Sequence, residues 1–180
     1  MAALKPTVWP EGTQWNVATA KDAITCKPVW ELSKPFIYSN RTAIDIGTRF
    51  GGFAHFLTKE FEHVHCFDIK RKKQFARNSI KKKVTHYTGP LGGKFKAWNI
   101  DEWRSGVGNN WQYDFKPEWL EETYNIDDHN FKEVDYIKID TDGSEDKIVP
   151  GCELTIKEYK PLVVIEGFKP SQLEAIEILK

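Results

Sequence analysis

Residues 44–53, I-D-I-G-T-R-F-G-G-F, combine one carboxylate with three glycines over ten positions. Gly47 follows Asp45 closely, and Gly51 and Gly52 are adjacent. Glycine is needed where the backbone adopts a positive φ or where another group approaches it closely. A short apolar run that ends in a glycine-rich loop before a helix is typical of nucleotide-type sites, because the helix start offers free N–H groups. This stretch is therefore a candidate binding loop.

A pyrophosphate is a poor fit to this loop. The dinucleotide fingerprint G-x-G-x-x-G has its central glycine where this chain has Arg49, and that glycine lets the backbone approach the phosphates. The carboxylate of Asp45 would also repel a pyrophosphate. It would instead suit a ligand that carries a cationic amino group. The alternative is an ordinary strand-to-helix turn with a surface aspartate.

A second carboxylate occurs at the end of the next predicted strand. Asp68 ends H-V-H-C-F-D, 21 residues after Gly47. An acid at about this distance binds ribose hydroxyls in dinucleotide sites, and Ile69 would lie against an adenine. The alternative is an acid that favours the start of a helix. Loop and acid together predict an adenosyl ligand without phosphate, S-adenosyl-L-methionine, with Asp45 at its ammonium and the helix start near Gly52 at its carboxylate. The other predicted binding residues are Gly47, Thr48, Arg49, Phe50 and Gly51.

These residues are positioned by alternating strands and helices. Apolar runs predict five strands, at 41–46, 63–69, 84–89, 134–140 and 161–167, and helical spacing predicts helices at 30–34, 52–61, 70–83, 143–159 and 170–180. Alternation of this kind predicts an α/β, Rossmann-like, doubly wound and mostly parallel sheet with helices on both faces. In such a sheet the ligand lies outside the carboxyl ends of the strands.

Length and composition predict one domain of 180 residues with 29% charged residues and a formal net charge of zero. We divide it into an N-terminal cover (1–40), a donor-binding half (41–100), an insertion or lid (101–131) and a C-terminal half (132–180). No apolar run is long enough to span a bilayer and no apolar leader is evident. Three scattered cysteines favour reduced thiols and a cytoplasmic location, without a metal site.

With these segments in view, the sequence resembles the FkbM family of class I S-adenosylmethionine-dependent methyltransferases. That family carries V-D-x-x-K-I-D-x-E-G-x-E, an apolar helix and P-x-x-x-x-E. The residues that match in order are Val134, Asp135, Lys138, Ile139, Asp140, Gly143, Glu145, Pro161 and Glu166. Asp142 stands where the family usually has Glu. The antiparallel strand pair that normally completes the sheet is missing, or comes from 84–98 or the N-terminus. A bare edge strand would be a site of association, so the protein is expected to be a monomer or a homodimer.

The resemblance implies O-methylation of a hydroxyl on a small or sugar-like acceptor. It places Asp140 beside the transferred methyl group, where it helps position the donor or the acceptor hydroxyl. Asp140 is the first candidate for the base that takes the hydroxyl proton, Glu166 the second, and His86 a third. The segment at 140–146 also fits an acidic helix start capped by Asp142, Ser144 or Glu145. A divalent cation on Asp140, Asp142 and Glu166 is a less favoured alternative.

Two other functions stay open. Residues 69–100 hold ten Lys or Arg and no acid, so the basic helix at 70–83 could attract nucleic acid. An RNA or cap ribose methyltransferase would need a lysine–aspartate–lysine–glutamate set around the methyl group. Lys34 and Asp140 could begin this set and Lys169 could be its third member, but no convincing closing glutamate follows. Charge runs on helices are, however, usually solvated faces. The short C-terminus suggests instead a catalytically silent S-adenosylmethionine-binding module.

Overall fold

The computed structural model describes residues 6–7, 17–69, 83–92, 124–167 and 170–179. These residues form one six-stranded sheet with the strand order β1-β4-β3-β2-β5-β6. The strands are β1 (Pro6–Thr7), β2 (Thr42–Ile46), β3 (His63–Asp68), β4 (Val84–Thr88), β5 (Val134–Ile139) and β6 (Leu162–Ile165). β2 to β6 are all parallel. The predicted Rossmann-like α/β fold class is confirmed.

Successive residues of a strand point to opposite faces of the sheet. Because apolar side chains lie on both faces here, helices pack on each of them. On one face, α1 (Val17–Ser33) and α2 (Gly52–Glu60) bury Trp30 and Leu57 against Tyr136. On the other face, α3 (Glu145–Ile148), α4 (Glu153–Tyr159) and α5 (Pro170–Ile178) surround a second core that contains Ile137. Tyr136 and Ile137 are neighbours in β5, yet each belongs to a different core.

Two predicted helices were wrong in extent. The first was expected to cover only a few residues before Pro35, but α1 extends over 17 residues and contains Pro28, and a 3-10 helix follows at Lys34–Phe36. The segment at 143–159 was expected to form one helix. It forms α3, a 3-10 helix at Val149–Cys152, and α4. Pro150 explains the interruption, because proline lacks the N–H that a continuous helix requires.

The edges of the sheet differ from the usual class I methyltransferase arrangement. The N-terminus supplies one short antiparallel strand, β1, which pairs with β4. β6 pairs with β5, and within the described ranges it has no second neighbour. The predicted basic helix lies outside the described residues apart from Lys83, as do residues 101–123 of the predicted insertion. Residues 124–131 include a 3-10 helix at Asp127–His129.

The described part of the chain includes no helix that is both long and apolar enough to cross a membrane. The cysteines Cys26, Cys66 and Cys152 are all free thiols.

Candidate functional site

The carboxyl ends of three parallel strands carry acids predicted for the site. Asp68 ends β3, Asp140 directly follows β5, and Glu166 directly follows β6. Backbone hydrogen bonds continue the sheet here, from Asp140 N to the Ile46 carbonyl (3.1 Å) and from Glu166 N to the Ile139 carbonyl (3.1 Å). β2 separates Asp68 from Asp140, so the two backbones are roughly 10 Å apart.

Gly47 is required by the protein's own backbone. Its φ is +78°, and a Cβ atom at this position would overlap the backbone carbonyl oxygen of Asp140. Its N–H donates to the carbonyl of Phe67 over 2.9 Å. The glycine therefore allows the loop after β2 to pack against the end of β5. The close neighbour expected from the sequence exists at Gly47, and it is a segment of this chain.

The rest of the loop is ordered by short hydrogen bonds. The buried Thr48 hydroxyl donates to the Asp45 carbonyl (2.8 Å), and Gly51 N donates to the Thr48 carbonyl (2.8 Å). Arg49 occupies the left-handed region at φ +54°, and its backbone N–H donates to Asp68 Oδ2 (2.7 Å). The Arg49 guanidinium lies 5.6 Å from the centroid of the Phe50 ring. Ile69, the predicted adenine contact, is half-buried.

Lys138 links the loop to the candidate catalytic acid. Its Nζ lies 3.3 Å from Asp45 Oδ1 and 3.4 Å from Asp140 Oδ2. It also donates to the Gly47 carbonyl over 3.1 Å. Asp45 and Lys138 are direct neighbours on β2 and β5, so the ion pair follows from the strand register. Asp45 and Lys138 are buried, whereas the Asp140 side chain is 43% exposed.

The cluster of Asp45, Lys138 and Asp140 has two carboxylates and one ammonium. Burial by itself would lower the pKa of Lys138, but Asp45 and Asp140 outweigh burial and raise this pKa above its ordinary value. Burial raises the pKa of Asp45, and Lys138 only partly opposes this. Neither carboxylate oxygen of Asp45 has a partner with hydrogen-bonding geometry among the described residues. A buried carboxylate with unmet acceptors fits a ligand that carries a cationic amino group.

The start of α2 does not offer the free N–H group that was expected at Gly52. The N–H of Gly52 donates to Asp22 Oδ2 of α1 over 2.9 Å. Arg49 Nη1 lies 3.7 Å from Asp22 Oδ1. The Asp22 side chain is 7% exposed. A carboxylate of the chain itself therefore occupies the position predicted for the carboxylate of the ligand.

The side chain of Glu145 stabilises the acidic loop at 140–146 by hydrogen bonds within it. Its Oε1 accepts hydrogen bonds from Thr141 N (2.8 Å) and from the Thr141 hydroxyl (3.1 Å). Ser144 is the N-cap residue of α3 but makes no side-chain capping bond. Asp142 is exposed and has a φ of +62°. Of the capping alternatives, Glu145 thus stabilises the loop itself. No three metal-ligating side chains in the described ranges are grouped closely enough to hold a metal ion.

Two candidates lie away from the cluster. His86 is fully buried in β4, which is separated from β5 by β3 and β2, so it does not meet Asp140. Lys34 pairs with Glu60 at the end of α2, on the amino-terminal side of the sheet. It cannot join Asp140 on the carboxyl side. Lys169 is outside the described residues.

Sequence reasoning missed two residues of this site. Lys138 was matched to the family pattern but given no role, although strand alternation puts it on the same face as Asp140, two residues later. Asp22 was not considered. Only the packing of α1 on α2 brings it to Gly52, 30 residues away in sequence, and no local signal in the sequence indicates that contact.

Fold and site together define a Rossmann-like α/β protein with an acidic site at the carboxyl edge of its sheet. No family model matches the chain. A search of curated proteins likewise finds no match.

Proposed function

We propose that this protein is an S-adenosyl-L-methionine-dependent methyltransferase of the FkbM type, acting on a hydroxyl of a small or sugar-like acceptor. The observation that carries the proposal is the buried Asp45 carboxylate, which is ion-paired with Lys138 but makes no hydrogen bond of proper geometry within the described residues, in a cluster that also contains Asp140. Asp68 ends β3, the other neighbour of β2, at the same edge of the sheet. A dinucleotide would present phosphates to these acids. A donor with an ammonium and a sulfonium would present positive charge.

The residues that would hold the donor divide by chemistry. Asp45 would accept a hydrogen bond from its ammonium, and Asp68 from its ribose hydroxyls, while Thr48 and Gly51 keep the loop in shape. Ile69 would contact the adenine. When bound, S-adenosyl-L-methionine supplies an electrophilic methyl group on sulfur. Because the cluster has one ammonium for two carboxylates, a further cation improves its charge balance.

Asp140 would act on the acceptor. Its half-exposed carboxylate can accept a hydrogen bond from an incoming hydroxyl, orient that oxygen and take its proton. Lys138 contacts Asp140 from the buried side and fixes the direction of this carboxylate. Glu166, which directly follows the neighbouring strand β6, is the second candidate for the same role.

The RNA ribose methyltransferase alternative has less support. Lys138 does lie 3.4 Å from Asp140, but Lys34, the lysine expected to begin the lysine–aspartate–lysine–glutamate set, is engaged with Glu60 on the other side of the sheet. The silent binding module differs from an enzyme only in turnover, so it predicts the same ligand binding without methyl transfer.

Calorimetry with the product S-adenosyl-L-homocysteine tests the proposal. We expect micromolar binding by the wild-type protein and roughly tenfold weaker binding by Asp68→Asn, which loses a charged acceptor. Glu133→Gln is the matched control, since Glu133 is exposed and lies by Arg41 on the amino-terminal side. Its affinity should equal that of the wild type. Absence of wild-type binding would refute the proposal.

Turnover is tested with a labelled methyl donor and a panel of hydroxyl acceptors. Methyl transfer that is lost in Asp140→Asn, while product binding is retained, supports the enzyme. Binding without transfer to any acceptor supports the silent module.

A further inference from the structure

The carboxylate of Asp22 lies at the start of α2, where the sequence predicts the carboxylate of an amino acid ligand. It accepts the Gly52 N–H at the start of α2, where the positive end of the helix favours an anion. Its other oxygen faces Arg49, a residue of the glycine loop. α1 and α2 approach each other closely here, because a Cβ atom at Gly52 would come within 2.5 Å of Ala23 N. Gly52 is therefore needed for α1 to lie this close.

The same face of α1 extends over the acidic cluster. Cys26 lies one turn after Asp22, and burial together with Asp22 raises the pKa of its thiol to about 12. Cys26 packs against the core that contains Phe53, and Lys138 Nζ lies 5.7 Å from the Phe53 ring, so α1 and the cluster are on the same face of the sheet. A ligand that reaches the unmet oxygens of Asp45 would come to lie next to α1.

Pro28 divides α1 into two halves of different attachment. The C-terminal half is anchored by the buried Trp30 and by a hydrogen bond of 2.8 Å between the Ser33 and Tyr136 hydroxyls. The half that carries Asp22 lies before Pro28, which cannot donate the helical hydrogen bond to Ile24. Thr25 bonds back to the Asp22 carbonyl (2.8 Å), a contact that bends helices. Bending at this point would move Asp22 without disturbing Trp30.

We propose that Asp22 is an internal competitor of the ligand carboxylate, and that the half of α1 before Pro28 moves away from α2 when the ligand binds. This inference rests on the proposed function, because it assumes a donor with an amino acid end. The second observation, apart from the helix start, is the fully buried Asp45 carboxylate, which has an ion pair with Lys138 but no hydrogen bond of proper geometry within the described residues. The competition restricts entry to ligands whose anion can replace Asp22 at Gly52, so Asp22 regulates access to the donor site.

The test compares two probes that differ only in the amino acid end. S-adenosyl-L-homocysteine carries the carboxylate, and 5′-methylthioadenosine lacks it. Asp22→Asn keeps the size of the side chain and an acceptor for Gly52 N–H, but removes the competing charge. We expect calorimetry to show roughly tenfold tighter binding of S-adenosyl-L-homocysteine by Asp22→Asn and unchanged binding of 5′-methylthioadenosine.

Asp127→Asn is the matched control. Asp127 also caps a helix from a distant segment, accepting from Leu154 N (3.0 Å) and Thr155 N (2.9 Å) at the start of α4, on the opposite face. It should not change the affinity for either probe. Asp22→Ala is the second variant, and thermal unfolding establishes that each variant is folded before binding is measured.

The outcomes separate the two hypotheses. If wild type and variants all fail to bind S-adenosyl-L-homocysteine, the proposed function and the inference both fall. If wild type binds but Asp22→Asn binds equally or more weakly, the inference alone is wrong and Asp22 is an ordinary helix cap. If both probes bind Asp22→Asn more tightly by the same factor, the effect does not involve the carboxylate, and the competition is again excluded.

Discussion

Two buried aspartates on neighbouring strands differ sharply in their partners. Asp135, near the start of β5, receives hydrogen bonds from Arg41 N (2.8 Å), Nε (3.0 Å) and Nη2 (2.5 Å). Asp45, near the end of β2, has one shared ammonium and no hydrogen bond of proper geometry in the described part of the chain. Both carboxylates are almost fully removed from solvent.

The difference shows where this fold uses carboxylates for stability and where it keeps acceptors unmet. Arg41 satisfies Asp135 and so joins the segment before β2 to β5. The pKa of Asp135 is lowered because its bonds to Arg41 outweigh the effect of burial. The pKa of Asp45 is raised because burial outweighs Lys138. A satisfied carboxylate stabilises the fold, whereas an unsatisfied one costs stability and suits a ligand.

The largest loss of stability is expected from substitution of Lys138, the cation that lies beside Asp45. Lys138→Met would leave Asp45 buried without a counter-charge, and the free energy of unfolding should fall by about 4 kcal/mol. Adding Asp45→Asn should restore most of this loss, because the uncompensated charge is then gone. Urea unfolding of both single variants and the double variant measures the coupling. Simple additivity would mean that the ion pair is not the cause.

The second prediction concerns His65, a buried histidine whose protonation makes the stability of the fold depend on pH. His65 packs on Phe131 with ring centroids 4.0 Å apart, and burial, aided by His63 and His129, lowers its pKa to about 3. The unfolded chain therefore takes up this proton first, near its ordinary pKa of about 6.5. Stability from neutral His65 is complete above pH 6.5 and should decrease by about 1.4 kcal/mol per pH unit on acidification, until the folded pKa is reached.

Urea unfolding of wild type and His65→Phe at pH 7 and pH 4 tests this expectation. The difference between the two pH values should be smaller by about 3 kcal/mol in the variant, which has no titratable group there. An unchanged pH dependence would show that His65 is hydrated in the folded protein.

The two aspartates can be compared directly by the same substitution. Asp135→Asn loses charge-assisted bonds to Arg41 and should lower the free energy of unfolding by about 2 kcal/mol. Asp45→Asn should change it by less than about 1 kcal/mol, because Lys138 keeps Asp140 as its partner. Unfolding in urea at pH 7 gives both values. Equal losses of stability in the two variants would contradict the proposed difference between Asp135 and Asp45.

The smallest effect is expected at Arg49. Arg49→Gly removes a left-handed backbone strain and keeps the N–H that donates to Asp68, so stability should change by less than about 1 kcal/mol. The variant completes the fingerprint G-x-G-x-x-G, yet we expect no binding of NAD in calorimetry. Asp45 and Asp22 would still oppose a pyrophosphate. Micromolar binding of NAD would show that Arg49 alone excludes dinucleotides.

The sequence was sufficient to predict the five parallel strands and the edge of the sheet at which the candidate acids lie, whereas β1 was covered only by the alternative that the N-terminus supplies antiparallel strands. Asp68, Asp140 and Glu166 follow apolar runs, and parallel strands with helical connections must place their carboxyl ends side by side. The alternation along β5 also predicts that Lys138 lies on the same face of the sheet as Asp140. The prediction nevertheless gave a role only to Asp140, at the end of the strand, and none to Lys138. Likewise, Pro150 is a visible interruption in a helix predicted to be continuous.

The contacts of Asp22 and Gly47 could not be predicted from local patterns. Both depend on segments that are distant in sequence, α1 against α2 and the loop against the end of β5. The glycine pattern indicated that something lies close to the loop, but a neighbouring backbone and a bound ligand impose the same requirement for a missing side chain. Only the three-dimensional arrangement distinguishes them.

Gly47 has a consequence for how relatives of this chain should be recognised. Because the end of β5 abuts Gly47, folding alone requires a glycine there, whether or not a ligand binds. A descendant that had lost its ligand would therefore still carry the loop glycine and would be misassigned by a motif search based on it. Under the proposed function, Asp68 and Asp140 would contact the donor and the acceptor, so these two residues are the markers that such a search should use.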